Sequence, residues 1–284
     1  MEGESIYLVS FHFTPICDLN CPFCYIEKTE NTKNNKVILS IAEEIGTTAF
    51  QVSLGGGEPL HPKARDTLFD ILEVLHKKSI VNITTNGKYV LDMDEQDLKF
   101  LRTHIASISV SFDLFKTQKV KTVETVNFLI KKGFIVYVNF LVLRSKDRDL
   151  LSYFPVLFDF LQSGVYGILF LYPKKPASVN LLPSFSEYLR FLWLFQHFLD
   201  PIDRQRMFVD NFTRLLIKYR KNRWGEPCSY AQTLISIDWN GNIYGCSFDH
   251  RPIGKYRELG DLQKTIRKIR RKQKKYLKYS CPFV

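Results

Sequence analysis

The chain has 284 residues, 45% hydrophobic and 24% charged, which suits one large globular domain or one domain with a small appendage. No run approaches the ~18–20 uninterrupted apolar residues of a membrane-spanning helix, and the acidic, polar start Met-Glu-Gly-Glu-Ser is not a secretory signal. The formal charge is +11, but residues 264–278 alone carry nine Lys or Arg and no acid, so the excess is local. Six cysteines, three near each end, read as metal ligands in a reducing compartment and not as a disulfide framework. A cytoplasmic protein with no membrane partner is expected.

In chain order, the apolar run 6–13 predicts a strand that ends in the loop Cys17-Asp18-Leu19-Asn20-Cys21-Pro22-Phe23-Cys24. Soft thiolates select zinc or iron–sulfur. Structural zinc usually has four protein ligands, and this loop offers three with no adjacent fourth. His12 is near, but on the strand before the loop it reads as a core or edge histidine. A cluster held by three cysteines would leave one iron open for chemistry. The pattern Cys17-x-x-x-Cys21-x-x-Cys24, with Phe23 before the third cysteine, resembles the signature of the radical S-adenosylmethionine (SAM) superfamily. That resemblance implies a 4Fe-4S cluster on Cys17, Cys21 and Cys24, whose open iron chelates the amino and carboxylate groups of SAM.

Onward to residue 171, strands at 6–13, 50–54, 80–84, 105–112, 134–142 and 167–171 alternate with helices at 38–48, 63–78, 95–103, 117–132 and 148–162. Such alternation predicts a parallel sheet with right-handed crossovers. The fold class is therefore α/β: a partial (β/α)6 TIM-like barrel, as in the resembled superfamily. Period-two spacing puts Ser107, Ser109, Ser111 and Asp113 on one face of the fourth strand, with Ile108, Val110 and Phe112 on the other. Asn82, Thr84 and Asn86 share a face of the third strand, Tyr137 and Asn139 of the fifth, and Gln51 and Ser53 of the second. Buried parallel strands are normally apolar on both faces, so these rows predict a lumen that is wet or filled by a polar ligand, the alternative being a solvent-facing sheet.

The strand ends carry the remaining site candidates, as in other barrels. After the second strand comes Gly55-Gly56-Gly57-Glu58-Pro59, where glycines allow close backbone approach. It resembles the superfamily's GGEP motif, which implies that Gly56, Gly57, Glu58 and Pro59 contact SAM, with the acid on its ammonium group. Asn86-Gly87 is a turn signal or a ligand contact. The resemblance further implies SAM contacts from Asn86, from Ser111 and Asp113 after the fourth strand, and from Asn139 and Arg144 on and after the fifth. Tyr172-Pro173-Lys174-Lys175-Pro176 is similar in place to an adenine-side loop.

Two helical patterns follow, 184–199 and 204–219, the first with a Phe/Leu stripe read as packing. Cys228 then precedes a hairpin of strands about 233–239 and 243–245 around Asn240-Gly241, which delivers Cys246. The spacing from Cys228 through Gly241 to Cys246 resembles the twitch and SPASM extensions. It implies a second, auxiliary iron–sulfur cluster on Cys228, Cys246 and Cys281, a zinc knuckle being the alternative. A basic helix, 260–279, closes the chain. Expected domains are therefore the barrel at 1–182, a helical connector at 183–227, and a hairpin-plus-helix extension at 228–284. No leader-binding region is expected ahead of the barrel.

The resemblance implies reductive cleavage of SAM to a 5′-deoxyadenosyl radical, with electrons from a donor such as ferredoxin or flavodoxin. A peptide-modifying maturase is the first expectation and a small-molecule or cofactor-biosynthesis enzyme the second. RNA modification through the basic helix is the third, since no separate RNA-binding module is recognisable.

Overall fold

A computed structural model describes residues 5–30, 35–113, 121–144, 149–173, 179–210, 233–247 and 251–271. Six strands form on short runs rich in apolar and β-branched residues: β1 (Ile6–Thr14), β2 (Ala49–Gly56), β3 (Ile80–Thr85), β4 (Ser107–Phe112), β5 (Val136–Leu141) and β6 (Gly167–Leu171). Between them run α1 (Asn35–Thr48), α2 (Pro62–Leu75), α3 (Glu95–His104), α4 (Thr122–Lys131) and α5 (Phe154–Gln162). Neighbouring strands pair in parallel from β1 to β6, the topology of a partial barrel. Helix starts have local causes: Pro62 opens α2 behind its cap His61, and the Asp94 carboxylate accepts from Asp97 N at 2.8 Å before α3.

The two faces of the sheet divide as expected. Ile108, Val110, Phe112, Val138 and Phe140 are buried against the helices. On the other face the strand registers align Ser236, Ser10, Ser53, Asn82 and Ser107 into one polar row across five strands. Ser107 Oγ donates to Asn82 Oδ1 at 2.7 Å, and Ser236 Oγ donates to Ser10 O at 3.1 Å. The Ser107 and Ser236 hydroxyls are thus satisfied by an amide and a backbone carbonyl within the row, where an apolar lumen would have needed bulky side chains.

Beyond β6 the chain keeps adding to the same sheet. Helix α6 (Phe185–His197) starts on a capping box of Ser184 and Glu187 and buries Phe191 and Phe195 against the core, as its stripe predicts. After the short α7 (Pro201–Gln205), residues Met207–Val209 form β7, parallel to β6. This corrects the expected helix at 204–219. An aromatic and β-branched run met an open strand edge, and Gly167 leaves room for the Phe208 ring, which a Cβ there would meet at 2.4 Å. Residues 211–219 of that expectation lie outside the described residues.

The hairpin forms as β8 (Leu234–Asp238) and β9 (Asn242–Tyr244), followed by β10 (Gly254–Lys255). Strand β8 lies parallel to β1, so the sheet runs β10-β9-β8-β1-β2-β3-β4-β5-β6-β7. The last helix described, α8 (Asp261–Arg271), buries Leu262, Ile266 and Ile269. Its start is held by Glu44 of α1, a buried side chain whose carboxylate accepts from Gly260 N at 2.8 Å and from Gln263 N at 2.9 Å. A carboxylate at a helix N-terminus satisfies orphan N–H groups and opposes the helix dipole. Glu44→Ala strands both donors in a buried site, so we expect a loss of about 2–3 kcal/mol in urea unfolding. Unchanged stability would show that this cap is dispensable.

Candidate functional site

Every barrel strand contributes to one cavity at the C-terminal strand ends, of about 320 Å³. Its wall includes Ser10 and His12 of β1, Ser53 and Gly55–Gly57 after β2, Thr84–Asn86 of β3, and Ser111–Asp113 of β4. Asn139 and Leu141 of β5, Leu171–Pro173 of β6 and Asp210 after β7 complete it. Cys17, Cys21 and Cys24 line its mouth. None of the three is in a disulfide; two are half-buried and Cys24 is exposed. Cys24 N donates to Cys21 O at 3.1 Å, a tight turn that gives the last two cysteines their relative placement. Burial, as the largest cause, pushes the Cys17 thiol up, so a cationic occupant is what would favour the thiolate there.

The glycine turn is a cradle that side chains would fill. A Cβ on Gly57 would lie 2.0 Å from Ile16 O, and one on Gly56 (φ 119°) 2.4 Å from Thr14 O. Gly57 N donates to Thr14 O at 2.7 Å and Glu58 N to Ile16 O at 2.6 Å, stitching the turn to the chain entering the cysteine loop.

Glu58 faces away from the cavity. It is fully buried, accepting from Leu60 N at 3.0 Å, Thr85 Oγ1 at 2.6 Å and Asn86 N at 2.6 Å. Its carboxylate therefore joins the β2 and β3 turns from behind. Pro59 is also buried and off the cavity wall. Arg144 points outward, 3.9 Å from Glu187 Oε1 and mostly exposed. These three are not brought to the cavity, whereas Gly56, Gly57, Asn86, Ser111, Asp113 and Asn139 are. Asn86 Oδ1 accepts from Lys88 N at 2.8 Å, closing the turn, while Nδ2 approaches Cys17 Sγ at 3.9 Å.

Several site residues carry no local sequence signal. His12 is buried, with Nε2 3.1 Å from Ser10 Oγ. Burial lowers its pKa to about 4, the neighbouring Asp238 opposing, so it is neutral at pH 7. Between the ordinary value and about 4 the unfolded chain takes a proton that the folded one refuses. Stability is thus full above about pH 6.5 and falls by up to about 3 kcal/mol towards pH 4. Urea titrations should show that loss, and His12→Asn should reduce it. Asp238 accepts from Asn240 N, Asn242 N, Asn242 Nδ2 and the Tyr244 hydroxyl, all at 2.8 Å, locking the hairpin beside His12.

Asp18, within the cysteine loop, sits 2.9 Å from His61 Nε2 and accepts from Lys88 Nζ and the Tyr89 hydroxyl. Lys88, foremost, and then Tyr89 hold its carboxyl well below the usual range. Tyr25 stands 5.9 Å from the His12 ring, its hydroxyl pKa raised by desolvation and further by the thiols of Cys24 and Cys246. Cys228, Cys281 and the segment Lys174-Lys175-Pro176 lie outside the described residues.

Residues 11–148 match the family model described as the radical SAM superfamily, and this span covers the cysteine loop and the strand ends through β5. Residues 11–148 are a radical SAM domain. An uncharacterised protein of Archaeoglobus fulgidus is 25% identical over 234 residues, covering 72% of this chain and 51% of the relative. Among solved structures, Streptococcus suis SuiB bound to precursor peptide SuiA superposes with TM-score 0.70 at 14% identity, over 93% of this chain and 65% of that one. Native anSMEcpe with bound AdoMet and Cp18Cys peptide gives TM-score 0.61 at 16% identity, over 92% and 80%. At these identities the likeness shows the fold. The chain spans about half the length of its curated relative.

Radical SAM proteins work with a 4Fe-4S cluster and SAM. The residues of this radical SAM barrel fit both groups. Three unbridged thiols sit on one loop beside a cavity that sets polar strand-end groups in a mostly apolar wall. On the same wall Gly55, where a Cβ would meet nothing within 4 Å, leaves open space beside the backbone.

Proposed function

We propose that this protein reductively cleaves SAM at a 4Fe-4S cluster held by Cys17, Cys21 and Cys24, in order to modify a peptide or protein. The observation that carries the reading is that Cys17, Cys21 and Cys24, the Gly55–Gly57 turn and the polar strand ends line one cavity. When bound, the cluster supplies the electron that breaks a carbon–sulfur bond of SAM, giving methionine and a hydrogen-abstracting 5′-deoxyadenosyl radical. The chain's own task is binding, orientation and exclusion of water. Asn86, Ser111, Asp113 and Asn139 offer hydrogen-bonding groups to the amino-acid and ribose parts of SAM. Leu141, Leu171, Tyr172 and Pro173 give an apolar wall on the far side, where a substrate carbon is shielded from solvent.

The peptide reading draws support from the fold shared with SuiB and anSMEcpe, whose structures contain peptides. An auxiliary cluster on Cys228, Cys246 and Cys281 belongs to the same proposal, as do a one-electron donor of the ferredoxin or flavodoxin kind and a cytoplasmic location. No described cysteine is in a disulfide, and no described helix is long and apolar enough to cross a membrane.

The test is anaerobic reconstitution with iron and sulfide, followed by dithionite and SAM. The expected result is a brown protein that forms 5′-deoxyadenosine and methionine in equal amounts. A colourless or zinc-filled protein that leaves SAM intact would sink the reading.

A further inference from the structure

Asp18 is the residue directly after the first loop cysteine, and its carboxylate joins three parts of the chain. Oδ1 meets His61 Nε2 at 2.9 Å, and Oδ2 accepts from Lys88 Nζ and the Tyr89 hydroxyl. His61 is itself oriented: its Nδ1 accepts from Lys63 N at 3.1 Å while capping α2, so the ring proton sits on Nε2 and points at Asp18. The Tyr89 ring stands edge-on to His61 at 5.1 Å. Lys88 follows the Asn86-Gly87 turn whose amide approaches Cys17 Sγ. Elsewhere the loop is held by the buried Leu19 side chain, by the bond that Lys28 Nζ donates to Leu19 O, and by the approach of Asn86 to Cys17; Asp18 adds the ties to the start of α2 and to the turn after β3. The stitch at Ile16 O fixes only its entrance.

We infer that Asp18 is a positioning residue: it clamps the three-cysteine loop to the start of α2 and the turn after β3, holding the thiols preformed before any cluster arrives. This rests on the proposed function for its purpose, but the clamp itself can be measured without a cluster. Preformed ligands bind with less loss of chain entropy than a loop ordered by its metal. Charge-assisted bonds to Asp18 from three directions are suited to that work.

The experiment alkylates the metal-free, full-length protein with iodoacetamide and reads Cys17, Cys21 and Cys24 separately by peptide mass mapping. Two variants are compared with wild type: Asp18→Asn, and the double variant Lys88→Met/Tyr89→Phe, which leaves the loop sequence intact. Charge alone predicts opposite effects, because losing the anion beside Cys17 eases thiolate formation and losing the Lys88 cation hinders it. A lost clamp predicts faster labelling in both, by roughly 5- to 30-fold, with the urea midpoint of the whole protein little moved. Any other labelling pattern overturns the inference. In reconstituted protein, both variants should also give up iron to EDTA faster than wild type. Should wild type take up no iron at all, the functional reading fails while the labelling result still decides the clamp.

Discussion

Replacing Cys17, Cys21 and Cys24 together by Ala is expected to remove about four irons per chain and to abolish SAM cleavage. The three thiols are the soft donors gathered at the cavity mouth, and alanine offers no replacement ligand. None of them lies in the hydrophobic core, so the circular dichroism of the variant should match wild type. If the auxiliary assignment is right, about four further irons stay bound in the triple variant, and Cys246→Ala releases those instead. Equal iron in wild type and triple variant would refute the assignment of the first site.

Gly57→Ala is expected to cost about 3 kcal/mol or more and to disturb cluster binding as well. The added Cβ would meet Ile16 O at 2.0 Å and Ile16 C at 2.6 Å, both backbone atoms. Relief requires swinging the Ile16 carbonyl, which gives up the bond from Glu58 N and drags the neighbouring Cys17. Gly55→Ala is the control, since a Cβ there meets nothing within 4 Å. It should change stability by about 0.5 kcal/mol or less. Urea unfolding of the two variants, with iron counts, checks the contrast. Similar stabilities would mean that the turn gives way more easily than its contacts imply.

The barrel was legible because short apolar runs alternate with helical ones and polar residues recur at period two in β2 to β5. Ser107, Ser109 and Ser111 against Ile108, Val110 and Phe112 revealed both a strand and a polar interior. The cysteine loop and the glycine turn could be read because their chemistry is local. What could not be read depends on partners far away in sequence. Three residues of β7 sit beside a helical pattern, and only the open edge of β6 and the space at Gly167 make them a strand. Asp18 finds His61 and Lys88 at separations of 43 and 70 residues, which no motif spacing records. Glu58 stands where a ligand-facing acid was expected, yet Thr85 and Asn86 turn its carboxylate inward.

The placement of β8 against β1 has a consequence for biosynthesis. Ser10 must await Ser236, its neighbour in the sheet and 226 residues later in the chain. At a ribosomal rate of ~5–20 residues per second, that edge of the first strand stays open for roughly 10–45 s while the rest of the barrel emerges. An unpaired edge of this kind is a template for pairing with other nascent chains. Yield in a heterologous host should therefore depend on chaperone supply and growth temperature, and truncation before β8 should yield aggregates.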